Sequence, residues 1–269
     1  MAQKTAIVGG TLHVGNGKVI SDAILVFQKD TIIFVGKKEE YTLTEDVVQI
    51  DAEGKEIYPG LIAPNTTLGL VEVEAVRSTR DYQEVGEMNP TVRAITAYNV
   101  DSKIIPTIRA NGILYSQATP QGKLISGKSS VVKLEAQTKE DAIVNEDDGI
   151  HVFWPQKYIM YDWFLRMGNV HANAKRKEYI HQLKTIFDNS LNLKGDHSSL
   201  NQKAIATLFN SEKRLYLHID DAKEMLEAIA FFEKYPIKHK VIVGGRDAWK
   251  ITDVLKEKNI SCLLYTSPS

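Results

Sequence analysis

The run Gly122-Lys123-Leu124-Ile125-Ser126-Gly127-Lys128-Ser129 fits G-x-x-x-x-G-K-[ST] letter for letter, the pattern of a nucleotide-binding loop. Such a loop works because its amides wrap phosphates at the start of a helix, with the Lys on the phosphates and the Ser or Thr on magnesium. The next residues, Ser130-Val131-Val132-Lys133-Leu134, are β-branched and alternating. That pattern predicts a strand where the mechanism requires a helix N-terminus. Leu215 to Asp220 imitates the partner acidic strand, as any buried strand ending in Asp does. A plain loop between two strands is therefore expected at Gly122 to Ser129.

The other residues of chemical type are dispersed. His151, His171, His181, His197 and His239 show no His-Glu-x-x-His spacing, so surface or capping roles are expected of them. Asp147-Asp148-Gly149 and Asp220-Asp221 hold adjacent carboxylates, which point apart; a turn and a helix N-cap account for them. Lys175-Arg176-Lys177 is balanced by Glu178 on a helix, which reads as a solvated face. Cys262 is the single cysteine, so neither an internal disulfide nor a Cys-based zinc site can form.

The patterning also places the elements that could position a site. From Thr5 to about Ile57, short β-rich runs (Ala6–Val8, Thr11–Val14, Ala23–Phe27, Thr31–Val35, Val47–Ile50) alternate with turn residues at Gly15-Asn16-Gly17, Lys29-Asp30 and Glu53-Gly54. This predicts a small antiparallel β module over residues 1–57. Tyr58-Pro59-Gly60 marks a domain boundary. Beyond it Gly112–Gln117 and Ser130–Leu134 read as strands, and Lys175–Leu191 and Leu200–Phe209 as helices. Leu215–Ile219 is a strand, Asp221 with Glu224 caps a helix carrying Ala222, Met225, Leu226, Ile229 and Phe232, and Pro236 stops it. Val241–Val243 is the next strand, Asp247 caps a helix through Leu255, and Ile260 opens another strand. Strands alternating with helices at this spacing predict a parallel sheet or a barrel.

Composition narrows the partners. The chain has 269 residues, 43% of them hydrophobic, enough to build a core. Lys plus Arg number 33 against 34 Asp plus Glu, a net charge of -1, so no overall basic field draws it to nucleic acid or anionic lipid. No apolar run reaches the roughly 18 to 20 residues of a membrane helix, and Met1 to Lys4 show no secretory pattern. A soluble protein is expected, cytoplasmic or exported, with a small-molecule substrate and neither nucleic acid nor membrane as partner.

Three further segments carry a resemblance: Ile7-Val8-Gly9-Gly10-Thr11, Ile50-Asp51-Ala52-Glu53-Gly54-Lys55 and Tyr58-Pro59-Gly60-Leu61-Ile62. Together they resemble the opening of the amidohydrolase superfamily, in particular its imidazolonepropionase-like members. Leu217-His218-Ile219-Asp220-Asp221-Ala222, with Val243-Gly244-Gly245 about 25 residues on, resembles the family's fifth and sixth barrel strands. The resemblance spans roughly Thr5 to Ile260. It implies a (β/α)8 TIM-type barrel preceded by a small N-terminal β-sandwich module, and a metal-dependent hydrolase acting on carbon–nitrogen bonds other than peptide bonds.

The resemblance also implies a divalent metal, zinc, held after Pro-Gly-Leu-Ile by a His-x-His pair on one strand face. This chain has Ala63-Pro64-Asn65-Thr66-Thr67 there, with Asn65 and Thr67 in the two ligand places, and neither is a good zinc ligand. His218 falls on the ligand position of the fifth strand. Gly244 and Gly245 stand where the sixth-strand His is usual. One imidazole does not hold a catalytic metal, which needs about three protein ligands and an open position. The expectation is a degenerate metal site with Asn65, Thr67 and His218 binding substrate by hydrogen bonds. The alternative is a non-catalytic small-molecule-binding or companion subunit on the same fold. The charged segment Arg77–Met88, with Arg80, Asp81, Glu84 and Glu87, is expected to be an active-site loop or a charged surface loop.

Residues 262–269, Cys262-Leu263-Leu264-Tyr265-Thr266-Ser267-Pro268-Ser269, back-translate as TGT CTC TTA TAC ACA TCT CCG AGC, which resembles read-through of a transposase-type sequencing adaptor. On that expectation residues 58–261 are a partial barrel, and the chain is a fragment, inactive and poorly soluble because an open barrel exposes strand edges.

Overall fold

Alternating side chains from Lys4 onward build one long strand, β1 (Lys4–His13), with Ala6, Val8, Gly10 and Leu12 buried on one face. A computed structural model describes residues 3–161, 169–193, 198–210 and 213–265. They form two units, Met1–Leu61 and Ile62–Ser269. In the first unit β1 pairs antiparallel with β2 (Val19–Gln28), which pairs antiparallel with β3 (Thr31–Lys37). β4 (Val48–Asp51) and β5 (Glu56–Ile57) then run parallel to β1. The sheet is thus mixed rather than the antiparallel module expected. The two runs expected at Ala6–Val8 and Thr11–Val14 are one strand, because Gly9, at φ +87°, carries the chain through a bulge without ending it.

The second unit holds a seven-stranded, barrel-like sheet. It takes β6 (Leu61–Thr66), β7 (Ile113–Ala118), β8 (Ile125–Lys133), β9 (Ile143–Phe153), β12 (Arg214–Ile219), β13 (His239–Gly244) and β14 (Ser261–Leu264) in that order. β10 (Tyr158–Tyr161) and β11 (Asn169–Ala172) pair antiparallel in a separate two-stranded sheet. Tyr265 donates from its hydroxyl to the Pro64 carbonyl at 2.7 Å, bringing the two edges of the sheet together. Parallel pairing holds from β9 through β14. β7, β8 and β9 pair antiparallel, against the expectation of a parallel sheet throughout. Their connections are too short for a crossover helix, so hairpins are the available geometry.

Between β6 and β7 lie the short helices α1 (Ala94–Ala97) and α2 (Ile105–Ala110), and before β9 lies α3 (Lys139–Ala142). The main core forms where α4 (Arg176–Leu191), α5 (Leu200–Asn210) and α6 (Ala222–Phe232) cover one face of β9, β12 and β13. Ile150, Val152, Leu215 and Leu217 meet Leu183, Phe187, Ile205, Met225 and Phe232 there. Strand alternation turns Tyr216, Val241 and Val243 to a different cluster. Asp221 caps α6 as expected, its carboxylate accepting from the amides of Lys223 and Glu224. Asp247 does not cap with its side chain; a 3₁₀ turn, Ala248–Ile251, leads from it into α7 (Thr252–Glu257), and its carboxylate pairs with Lys250 at 3.1 Å.

Two of the chemical motifs are resolved by this architecture. Ile125 to Ser129 lie inside β8, so the Gly122–Ser129 run is neither a phosphate loop nor, beyond Leu124, a loop at all. Lys128 is spent on Asp147 at 3.1 Å. Asp147-Asp148-Gly149 is likewise no turn but part of β9. Arg176 also departs from a solvated role, donating to the Pro155 carbonyl and pairing with Glu227 on α6. Among the described residues no helix is long and apolar enough to cross a membrane. His197 lies outside the described residues.

Removing the α6 cap by Asp221→Ala should lower stability by about 1 kcal/mol in urea denaturation; an unchanged midpoint would contradict the cap. Equilibrium dialysis should show no retention of ATP with magnesium, and saturable retention lost in Lys128→Ala would contradict the strand assignment.

Candidate functional site

Register alone sets the first feature of the site. β9 and β12 run parallel with Tyr216 opposite His151 and His218 opposite Phe153. Directly opposed side chains share a face, so the rings stack: His151 on Tyr216 with centroids 4.4 Å apart, and His218 on Phe153 at 3.9 Å. On the diagonal, His151 Nδ1 and His218 Nε2 share a hydrogen bond of 2.9 Å. His151 is fully buried, not the surface or capping residue expected, and its Nε2 has no hydrogen-bond partner among the described residues.

Burial decides the charge of this pair. It pushes His218 down to about 3, and it holds His151 well below the ordinary histidine range, with the neighbouring His218 adding to the effect. Both rings are neutral at pH 7, so one ring nitrogen donates to the other and neither serves as a base tuned to neutral pH.

The second feature is Asp148, 5% exposed and saturated with donors. Its Oδ1 accepts from Arg214 at 2.7 Å and Asn145 Nδ2 at 3.1 Å. Its Oδ2 accepts from the Tyr216 hydroxyl at 2.5 Å and Gln117 Nε2 at 3.0 Å. The Tyr216 ring crosses Gly149, where a Cβ would come within 2.6 Å of the ring, so glycine is required by close approach. Burial, and then the Asp148 hydrogen bond, raise the Tyr216 hydroxyl above the ordinary tyrosine range, keeping it a donor. Asp147, next along β9, instead pairs with Arg93, Lys128 and Lys213.

Asn65 enters through Gln117. It sits on β6 at φ +47°, a left-handed conformation that Asn tolerates better than most residues, and its amide donates to Gln117 Oε1 at 3.0 Å. Gln117 also donates from Nε2 to Ser129 Oγ at 3.1 Å. Contacts therefore run without a break from Asn65 through Gln117, Asp148, Tyr216 and His151 to His218. Thr67 lies in the turn after β6, its carbonyl accepting from Leu70, and has no part in this chain of contacts. Arg77–Met88 begins with a 3₁₀ turn, Arg77–Thr79, and ends against β8, where the Glu87 carbonyl takes the amides of Leu124 and Ile125.

These donors do not fit the metal that the resemblance implies. Asn65 and Thr67 offer neutral oxygens, and His218 Nε2 is engaged by His151. At Gly244, φ +93°, a Cβ would approach Asp220 Oδ1 to 2.7 Å, so a side chain there would have to displace that carboxylate. Among the described residues no group of three His, Cys, Asp or Glu side chains could hold a metal ion. Sequence reasoning missed His151 and Asp148. The signal for His151 was present in Gly149-Ile150-His151-Val152-Phe153-Trp154, a buried-strand pattern in which a histidine must be inside.

No family model and no curated protein matches the chain. Among solved structures it is similar to an amidohydrolase from Thermotoga maritima MSB8, with 20% identity and a TM-score of 0.83, covering 97% of this chain and 70% of that one. It is similar also to a prolidase complexed with N-methylphosphonate-L-proline, at 12% identity and a TM-score of 0.52, covering 96% of this chain and 65% of that one. The fold is of the amidohydrolase type, a mixed α/β architecture with a barrel-like sheet.

Because the folded-state imidazoles titrate below the unfolded value of about 6.5, the native state binds fewer protons than the unfolded chain in that interval. Their contribution to stability is complete above about pH 6.5 and declines as pH falls toward 3. Urea midpoints measured from pH 7.5 to 4 should fall, and His218→Phe should flatten the fall. An identical pH slope in the variant would contradict the neutral pair.

Proposed function

We propose that the chain is an amidohydrolase-type hydrolase, of imidazolonepropionase-like kind, acting on non-peptide carbon–nitrogen bonds through a degenerate metal site. The observation that carries this is the agreement of fold with the Thermotoga amidohydrolase over 97% of the chain. His218 supports it from near the C-terminal end of a barrel strand, where such folds build their sites. The substrate is a small molecule, held by hydrogen bonds from Asn65, Thr67 and His218, with neither nucleic acid nor membrane as partner. In the same proposal the N-terminal sheet is one layer of a sandwich, since its Ile32, Val35, Val48 and Ile50 are exposed apolar side chains.

A second reading, a non-catalytic binding or companion subunit, is favoured by one observation: His218 Nε2 is turned onto His151 instead of standing free. Two imidazoles whose basicity burial pushes far below neutral bind polar groups but are weak bases for activating water at pH 7.

Both are tested by calorimetry and turnover assays on cyclic imides, lactams and imidazolones, with and without added zinc. Turnover supports the hydrolase, and saturable binding without turnover supports the companion subunit. In either case Asn65→Ala and His218→Ala should each weaken binding by about tenfold, the loss of one hydrogen bond. Unchanged binding in both variants would contradict the site.

A further inference from the structure

We infer that Asp148 is a positioning residue for two arms of the site at once, one ending at Asn65 and the other at His218. The inference rests on the proposal that these two residues meet the ligand, but its geometry is independent of what the ligand is. A carboxylate offers about four acceptor positions, and all four are used here. Arg214 and Asn145 fix one oxygen. The other oxygen receives the two donors that lead outward, Gln117 and Tyr216.

Each arm transmits orientation through a contact with little slack. Gln117 has its Nε2 held by Asp148 and Ser129, which points its Oε1 at the Asn65 amide. That bond is what a left-handed Asn65 receives for its backbone N–H. Tyr216, pinned at its hydroxyl and laid over Gly149, presents a flat face to His151 with an interplanar angle of 5°. The ring plane of His151 in turn aims Nδ1 at His218 Nε2. The neighbouring Asp147 carries three cationic partners, Arg93, Lys128 and Lys213, against Arg214 alone for Asp148, but touches neither arm. Ion pairing alone therefore does not single out Asp148; connection to the arms does.

Asp148→Asn replaces one acceptor oxygen by an NH₂ donor, which must face donors whichever way the amide turns, so at least one pair of bonds breaks. The test is carried out on the ligand-free full chain by NMR, reading the imidazole nitrogens of His151 and His218 and the backbone amide of Asn65. Asp148→Asn should shift both sets of signals, Tyr216→Phe should shift the imidazoles, and Gln117→Leu should shift the Asn65 amide. Asp147→Asn should move neither set, although it lowers the melting temperature. If Asp148→Asn does not fold, the two arm variants decide the matter. Unmoved signals in those arm variants, or equal shifts from Asp147→Asn, overturn the inference. Since no ligand is used in this test, a failure of ligand binding would bear on the proposed function and leave this result standing.

Discussion

One buried carboxylate sets the terms for the interior of this sheet. Asp148 can lie at 5% exposure only because Arg214, Asn145, Gln117 and Tyr216 all donate to it. A buried charge left short of donors costs several kcal/mol, so each of the four is constrained by the others. The consequences propagate by geometry: glycine at 149 because Tyr216 must cross it, a flat tyrosine face for His151, and a fixed glutamine amide for Asn65.

The same packing that orders the two histidines also keeps them uncharged at neutral pH. Stacked against Phe153 and Tyr216 and bonded to one another, they are stable as neutral rings. A metal on His218 Nε2 would require that nitrogen to give up His151, and among the described residues no group of three His, Cys, Asp or Glu side chains could hold a metal ion. The arrangement suits hydrogen bonding to an uncharged polar group, and hydrolysis on it would need groups beyond this pair.

Much of the fold was legible because apolar periodicity reports burial directly. Leu215 to Phe232, with its Asp221 cap, reads as strand then helix because local propensity and tertiary packing agree there. β1 was split in two because Gly9 and Gly10 look like a turn, whereas a glycine bulge inside a strand carries the same residues. The β7–β8–β9 hairpins were hidden by the alternation rule, which assumes that each strand is followed by a helix. At the site, His218, Asn65 and Thr67 came from resemblance to a family pattern. Asp148 and His151 could not come that way, since their importance arises from partners as far along the chain as Gln117, Arg214 and Tyr216, a relation that periodicity does not encode. Asp147-Asp148-Gly149 has turn composition, and only the pairing of β9 with β8 and β12 overrides it.

Within the barrel-like sheet the two histidines act as a neutral hydrogen-bonded pair. The most direct measurement of this is an NMR pH titration of the His151 and His218 ring nitrogens, repeated with one equivalent of zinc. Both rings should remain neutral tautomers from pH 8 down through about pH 6.5, the ordinary histidine value, with signals that zinc leaves in place. A ring titrating near 6.5, or both rings shifting stoichiometrically with zinc, would contradict that organisation.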